Sequence, residues 1–122
     1  GRPVCFVSAH TKSPHRGCRQ WSQGIMGLGK LADSSRRRGV VILGDLNSSL
    51  DHPSFRALLK SGFRDAALVQ AAGPVVSYPA WLPWPRIELD HVLMTPGIDV
   101  AEVVSGPVKG TDHLAVYAHL AV

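Results

Sequence analysis

The sequence predicts an α/β fold with a mixed sheet, and three observations carry that expectation. Val40-Val41-Ile42-Leu43 is a continuous apolar run of the kind that fills a strand buried on both faces. Two stretches with apolar residues at helical spacing, Trp21-Ile25-Leu28-Leu31 and Phe55-Leu58-Leu59, stand on either side of it. Beyond them the chain turns to alternating patterns, so a strand–helix–strand–helix opening gives way to mostly strands. With 122 residues, 45% apolar and 18% charged, the composition fits one domain with a real core and excludes a disordered chain.

Each element has its own signal. Pro3 to Ala9 reads as a buried strand with His10 at its end. Residues 11–18 contain Lys12, Pro14, His15 and Gly17 without periodicity, which makes them a loop. A helix is predicted over about 18–35. Gly24, Gly27 and Gly29 each weaken it by about 1 kcal/mol relative to Ala, so packing must hold it. The Val40 strand stops at Gly44, Pro53 opens a second helix, and Gly62 closes that helix as its C-cap. A loop rich in Pro and aromatics runs from Tyr78 to Pro85, with Trp81 and Trp84 expected to plug it. Arg86 to Met94 alternates, with Ile87, Leu89, His91 and Leu93 on one side and Glu88, Asp90, Val92 and Met94 on the other. Val100 to Val104 is a short strand, and Leu114 to Val122 a longer one.

The net charge of +4 hides an asymmetry. Residues 1–38 carry eight basic side chains and one acidic, a balance of +7, whereas the remainder balances at −3. A basic front end can meet phosphates, although Arg36, Arg37 and Arg38 can equally solvate a turn. No stretch approaches the roughly 18–20 apolar residues of a membrane span, and no basic-then-apolar leader opens the chain. The start at Gly1-Arg2-Pro3 reads as a piece of a longer chain, which leaves upstream membrane or targeting segments open. Cys5 suits a buried strand as a small apolar residue; a disulfide to Cys18 needs an oxidising compartment, which the sequence does not specify.

Three polar groups fall at predicted strand ends, where rigid elements aim side chains. In Gly44-Asp45-Leu46-Asn47, Asp45 can hold a cation or a water and Asn47 can donate to an anionic oxygen, provided the backbone stays extended; a strand-end Asx turn is the simpler reading. In Leu89-Asp90-His91-Val92, Asp90 interrupts an apolar strand and needs a partner. His91 points to the opposite face and reads as a packed or rim histidine. In Gly110-Thr111-Asp112-His113, a hard oxygen ligand stands beside a group that titrates near neutrality. Asp90 is then placed to orient His113 and stabilise its imidazolium form. His10 is a fourth candidate, while His15, His52 and His119 are given no role.

Taken in order, Gly-Asp-Leu-Asn, Leu-Asp-His-Val and Asp112-His113 resemble the motifs of the endonuclease/exonuclease/phosphatase superfamily, which includes DNase I-like nucleases, abasic-site endonucleases, sphingomyelinases and inositol-polyphosphate phosphatases. Val7-Ser8-Ala9-His10-Thr11 is similar to that family's strand ending in a histidine. The resemblance implies a DNase I-like four-layer α/β/β/α sandwich and Mg²⁺- or Mn²⁺-dependent phosphoester hydrolysis. By position it makes Asp112 a metal ligand, His113 with Asp90 the pair at the scissile phosphate, and Asp45 the group that activates water and shares the metal. Asn47 then holds a phosphate oxygen, and His10 lies near the leaving or non-bridging oxygen. The family domain is roughly twice this length, so residues 1–122 resemble its carboxy-terminal half. The amino-terminal half supplies an Asn and the main metal-ligating Glu; Glu88 and Glu102 stand at positions that do not match that Glu.

Tyr78-Pro79-Ala80-Trp81-Leu82-Pro83 looks most similar to actinobacterial members, which often carry N-terminal membrane spans. That likeness implies a membrane tether outside this segment and an extracytoplasmic place. The implied substrate is a nucleic acid, a phospholipid headgroup or a small phosphoester. A competing reading is a catalytically silent module that self-associates through an exposed sheet. A calcineurin-like metallophosphatase is disfavoured, because its Gly-Asn-His-Asp/Glu motif and His-rich dinuclear site are not present in the sequence.

Overall fold

The computed structural model describes residues 2–122 apart from 37, 72, 74 and 85, and apart from the side chains of residues 34–36. Arg37, Pro85 and the Arg36 side chain, named above, lie outside the described residues. Strand β1 (Val4–His10) and strand β2 (Gly39–Asp45) are parallel, which requires a crossover. Helix α1 (Cys18–Gly27) and the 3-10 segment Leu28–Arg36 provide it. Helix α2 (Pro53–Lys60), the short strand β3 (Arg64–Asp65) and helix α3 (Ala66–Gln70) follow. Strand β4 (Asp90–Met94) inserts antiparallel between β2 and β3, giving a mixed sheet of order β1-β2-β4-β3. Strands β5 (Asp99–Gly106) and β6 (Ala115–Ala121) pair with each other as a second sheet.

Alternation along the central strands assigns the two faces. Val40 and Ile42 of β2 and Leu93 of β4 pack with Trp21, Ile25, Phe55 and Leu58 under the helices. Val41 and Met94 point the other way, onto Ile98 and Val103, with Val100, Val116, Ala118 and Leu120 of the second sheet against them. Val40, Val41 and Ile42 of the β2 run are therefore buried on the two faces, as the composition predicts, whereas Leu43 at the end of the run is exposed. Each fully buried side chain such as Ile42 or Phe55 contributes roughly 1.5–3 kcal/mol. On that face Phe6 of β1 and Leu43 of β2 stay exposed, and β1, expected as a buried strand, is only half-buried. Cys5 packs against the helix-side cluster as a small apolar residue, while Cys18 is exposed; both are free thiols. Among the described residues no helix is long and apolar enough to cross a membrane.

Four expectations need correction. The predicted helix over 18–35 stops being α-helical at Gly27 and continues as 3-10 turns, consistent with its glycine content. Gly29 in that segment allows close packing, since a Cβ there would lie 2.8 Å from Ser61 Oγ at the end of α2. Ser61 is the C-cap of α2, and Gly62 follows it. The predicted strand from Arg86 is regular only from Asp90, because Ile87 pairs with Tyr78 and the Leu89 and Asp90 amides both donate to Ser77 Oγ at 3.1 Å. Trp81 and Trp84 do not plug their loop: they are 72% and 81% exposed. Arg86 holds that loop instead, donating to the carbonyls of Pro79, Ala80 and Leu82.

Strands β1 and β2 approach closely at Gly44, whose φ is 143°. A Cβ there would overlap the carbonyl oxygen of Ala9. Gly44→Ala combines this clash with a backbone conformation that L-residues rarely adopt, and it is expected to destabilise the fold by about 3 kcal/mol. Urea unfolding checks this; an unchanged midpoint would contradict the close approach.

Candidate active site

Strand register builds the site. His10, the last residue of β1, is level with Asp45, the last residue of β2, and Asp45 is level with Asp90, the first residue of β4. These three side chains form one row across the sheet, on the face that carries Val41 and Met94. The segment leading into β6 brings His113 over the same row. Its Nδ1 donates to Asp90 Oδ2 at 2.6 Å, and its Nε2 lies 3.6 Å from Asp45 Oδ2. His10 Nε2 lies 3.6 Å from the same Asp45 oxygen. The Tyr78 ring packs against the His113 ring at 4.9 Å.

Burial alone would lower the His113 pKa, but the hydrogen bond to Asp90 and the charges of Asp90, Asp45 and Asp112 outweigh it and raise the value. A raised folded value means that the stabilisation from the charged ring is complete below histidine's ordinary pKa. It is lost as pH climbs through the folded pKa.

The loop after β2 is an Asx turn, the simpler of the two readings of Gly44-Asp45-Leu46-Asn47, and its backbone is not extended. Asp45 Oδ1 accepts from the Asn47 amide at 2.9 Å, and Asn47 adopts a left-handed φ of 47°, which Asn tolerates. The Asn47 side chain donates to the Thr11 carbonyl at 2.8 Å, leaving one amide hydrogen for another acceptor. Trp21 Nε1 donates to the Asn47 carbonyl, and Thr11 Oγ1 donates to the Leu46 carbonyl, so the turn is tied to both α1 and β1. The turn and the functional reading therefore coexist in the same residues.

Beneath the row lies a buried support. His91 is packed, as the alternation predicts, with Nδ1 3.0 Å from Asp65 Oδ2 and Nε2 2.6 Å from the Ser48 carbonyl. Both partners are acceptors, so both ring nitrogens donate and the ring is imidazolium. Burial pushes its pKa down, yet the bond to Asp65 and that group's charge raise it overall. Asp65 also caps α3 by accepting from the Ala67 amide. Its Asp-Ala-Ala-Leu pattern is an N-cap signal that sequence reasoning passed over. Leaving a buried charge of this kind unpaired costs roughly 3–5 kcal/mol, so His91 and Asp65 act together.

Of the residues expected in the site, His10, Asp45, Asn47, Asp90 and His113 are brought together. Asp112 sits at its edge, well exposed, with Oδ1 3.9 Å from His113 Nε2. Asp45, Asp90 and His113 each offer a ligand atom within 4.8 Å of the others and form a group able to hold a metal ion. Neither Glu joins them: Glu88 is half-buried, its pKa raised mainly by desolvation and also by Asp65, and Glu102 pairs across the second sheet with His119. Sequence reasoning missed His15, His52 and Tyr78, which line a cavity of about 330 Å³ with Asn47, Asp112 and His113. Only the folded loops bring them there, and no sequence spacing signals it.

A sequence profile of the Endonuclease/Exonuclease/phosphatase family matches residues 1–113. The chain belongs to this family. Among curated proteins none matches closely enough to count as a relative. Solved structures similar to this family member include a Bacteroides thetaiotaomicron mannosyl-6-phosphatase, at 16% identity and a TM-score of 0.70 over 96% of this chain and 51% of that one. A D. rerio TDP2 complexed with single strand DNA product gives 11% identity and 0.76 over 96% and 56%. An AP endonuclease from Archaeoglobus fulgidus gives 17% and 0.71 over 98% and 62%. These likenesses establish the DNase I-like fold. The chain spans about half the length of the structures it matches.

NMR titration of the His113 ring is expected to give a pKa above the ordinary 6.5 or so of histidine, and Asp90→Asn to bring it down by removing the main opposing charge. An unchanged value in Asp90→Asn would show that the short Nδ1 contact does not govern the ring.

Proposed function

We propose that the chain is the carboxy-terminal half of a metal-dependent phosphoesterase domain that cleaves a phosphodiester or phosphomonoester within a longer protein. The observation that carries this reading is the His113 imidazole, fixed at Nδ1 by Asp90 and turned at Nε2 toward Asp45. A phosphoester is anionic, and hydrolysis requires positive charge on its oxygens together with a localised water. Held as imidazolium by Asp90, His113 donates to a phosphoryl oxygen. Asp45 accepts a hydrogen bond from the attacking water and orients it, while the second amide hydrogen of Asn47 binds another phosphate oxygen. His10, 76% exposed at its side chain, is free to meet the leaving or a non-bridging oxygen.

The donor set fits a divalent cation. Asp45, Asp90 and Asp112 all lie within 4 Å of one imidazole, an excess of negative charge where an anion must bind. Within the group of Asp45, Asp90 and His113 the last two are committed to each other, so Asp45, with Asp112 at the edge, would hold the ion, and carboxylate oxygens suit Mg²⁺ or Mn²⁺. When bound, the cation draws charge from the phosphoryl oxygens. The family match and the similarity to a phosphatase and DNA-acting enzymes support this class of reaction. The cavity beside Asn47, with apolar Ile87 and Leu89 and the ring of Tyr78, has room for one ring of the substrate's non-reacting part.

A second reading, the silent self-associating module, draws support from the exposed Phe6 and Leu43 on the uncovered sheet face. Hydrolysis separates the two. With bis(p-nitrophenyl) phosphate and Mg²⁺ or Mn²⁺, His113→Ala in the intact protein is expected to lose about 10²–10⁴-fold in kcat/KM. Full activity in that variant overturns the assignment, and no hydrolysis by the unmodified protein favours the silent module.

A further inference from the structure

We propose that the groove beside His10 is a second anion subsite, which takes another phosphate of the same substrate, so that the preferred substrate carries at least two. The inference rests on the phosphoesterase reading and deepens it by naming the substrate class. The groove, about 440 Å³, is lined by His10, Thr11, Lys12, Ser13, Arg16 and Asn47. Asn47 and Ser13 also line the cavity beside His113, so a ligand with its reacting phosphate at Asn47 has access to both spaces. The two spaces differ in charge. Asp112 lines the first, whereas no carboxylate lines the second and two cationic side chains do.

Neither cation is paired with a carboxylate among the described residues. Lys12 Nζ donates to Gln20 Oε1 at 3.0 Å, a neutral acceptor that fixes the ammonium yet leaves two of its hydrogens for a ligand. Arg16 has no carboxylate partner among the described residues, where every ion pair is between a histidine and an aspartate. Its position is set by a short 3-10 turn, Pro14–Arg16, in which Ser13 Oγ accepts from the His15 amide and the Ser13 carbonyl accepts from the Arg16 amide. An arginine fork and an ammonium flanking one groove match the oxygens of a phosphate. The +7 balance of residues 1–38 adds long-range attraction for a polyanion. A single phosphate engaged at His113 and Asn47 would leave both cations unused.

Calorimetric binding to the intact protein without divalent cation tests this, with the dinucleotides TpT, pTpT and TpTp as probes and fructose 6-phosphate against fructose 1,6-bisphosphate as a second arm. At least one ligand with the extra phosphate is expected to bind about 10-fold tighter than its parent, a gain of the size of one charge-assisted contact. That gain is expected to vanish in Lys12→Gln/Arg16→Gln and to persist in Lys60→Gln/Lys109→Gln, which removes the same charge elsewhere. A gain in both arms assigns the subsite to a phosphate pair on any scaffold, and a gain confined to either arm supports it for that scaffold. No gain with any ligand overturns the proposal, as does equal loss in both double variants, which would reflect net charge alone. Binding is read without hydrolysis, so a negative result here leaves the His113 reading standing, and absent hydrolysis leaves the binding result standing.

Discussion

The whole arrangement depends on how closely β1 and β2 approach each other at their carboxyl ends. Gly44 lets the Ala9 carbonyl come in where a side chain would collide, and this brings His10 level with Asp45. The antiparallel pairing of β4 then sets Asp90 level with Asp45 on the other side. A slip of one residue in either pairing would send these side chains to the helix-covered face, among Ile42, Phe55 and Leu93. Core packing on both faces of β2 holds the register, so the stability of the sheet and the geometry of the site share one cause.

Charge is distributed across this frame in a consistent way. The carboxylates gather around one imidazole and raise its pKa, and an imidazolium lies buried below against Asp65. The Ser48 carbonyl that accepts from His91 follows Asn47 directly, so the buried ion pair also fixes the turn that presents Asn47. Two cationic side chains, Lys12 and Arg16, stand on the other flank of Asn47, in a groove that no carboxylate among the described residues lines. A ligand with separated anionic groups matches that layout better than one with a single charge.

Much of this was legible in the sequence, because it rests on local patterns. The Val40 run, the alternation around Asp90 and the strand-end positions of His10, Asp45 and His113 depend on period-two geometry, which one stretch of chain specifies by itself. The opposite facing of Asp90 and His91 followed from the same rule. What escaped depends on distant loops meeting. Asp65 finds His91 across the β3–β4 pairing, and His52 and Tyr78 reach one cavity from separate loops. Trp81 and Trp84 were misjudged because hydrophobicity argues for burial, whereas a single Arg86 satisfies the carbonyls of their loop and leaves the indoles outside.

The central claim is that the row of His10, Asp45 and Asp90 under His113 is one site that gathers a divalent cation and an anion. Paramagnetic broadening by substoichiometric Mn²⁺ tests it most directly, because the effect falls off steeply with distance from the ion. Resonances of Asp45, Asp90, Asp112 and His113 are expected to broaden first, with those of Glu102 and His119 on the second sheet unaffected. Broadening that begins on the second sheet, or is uniform over the surface, would contradict the claim.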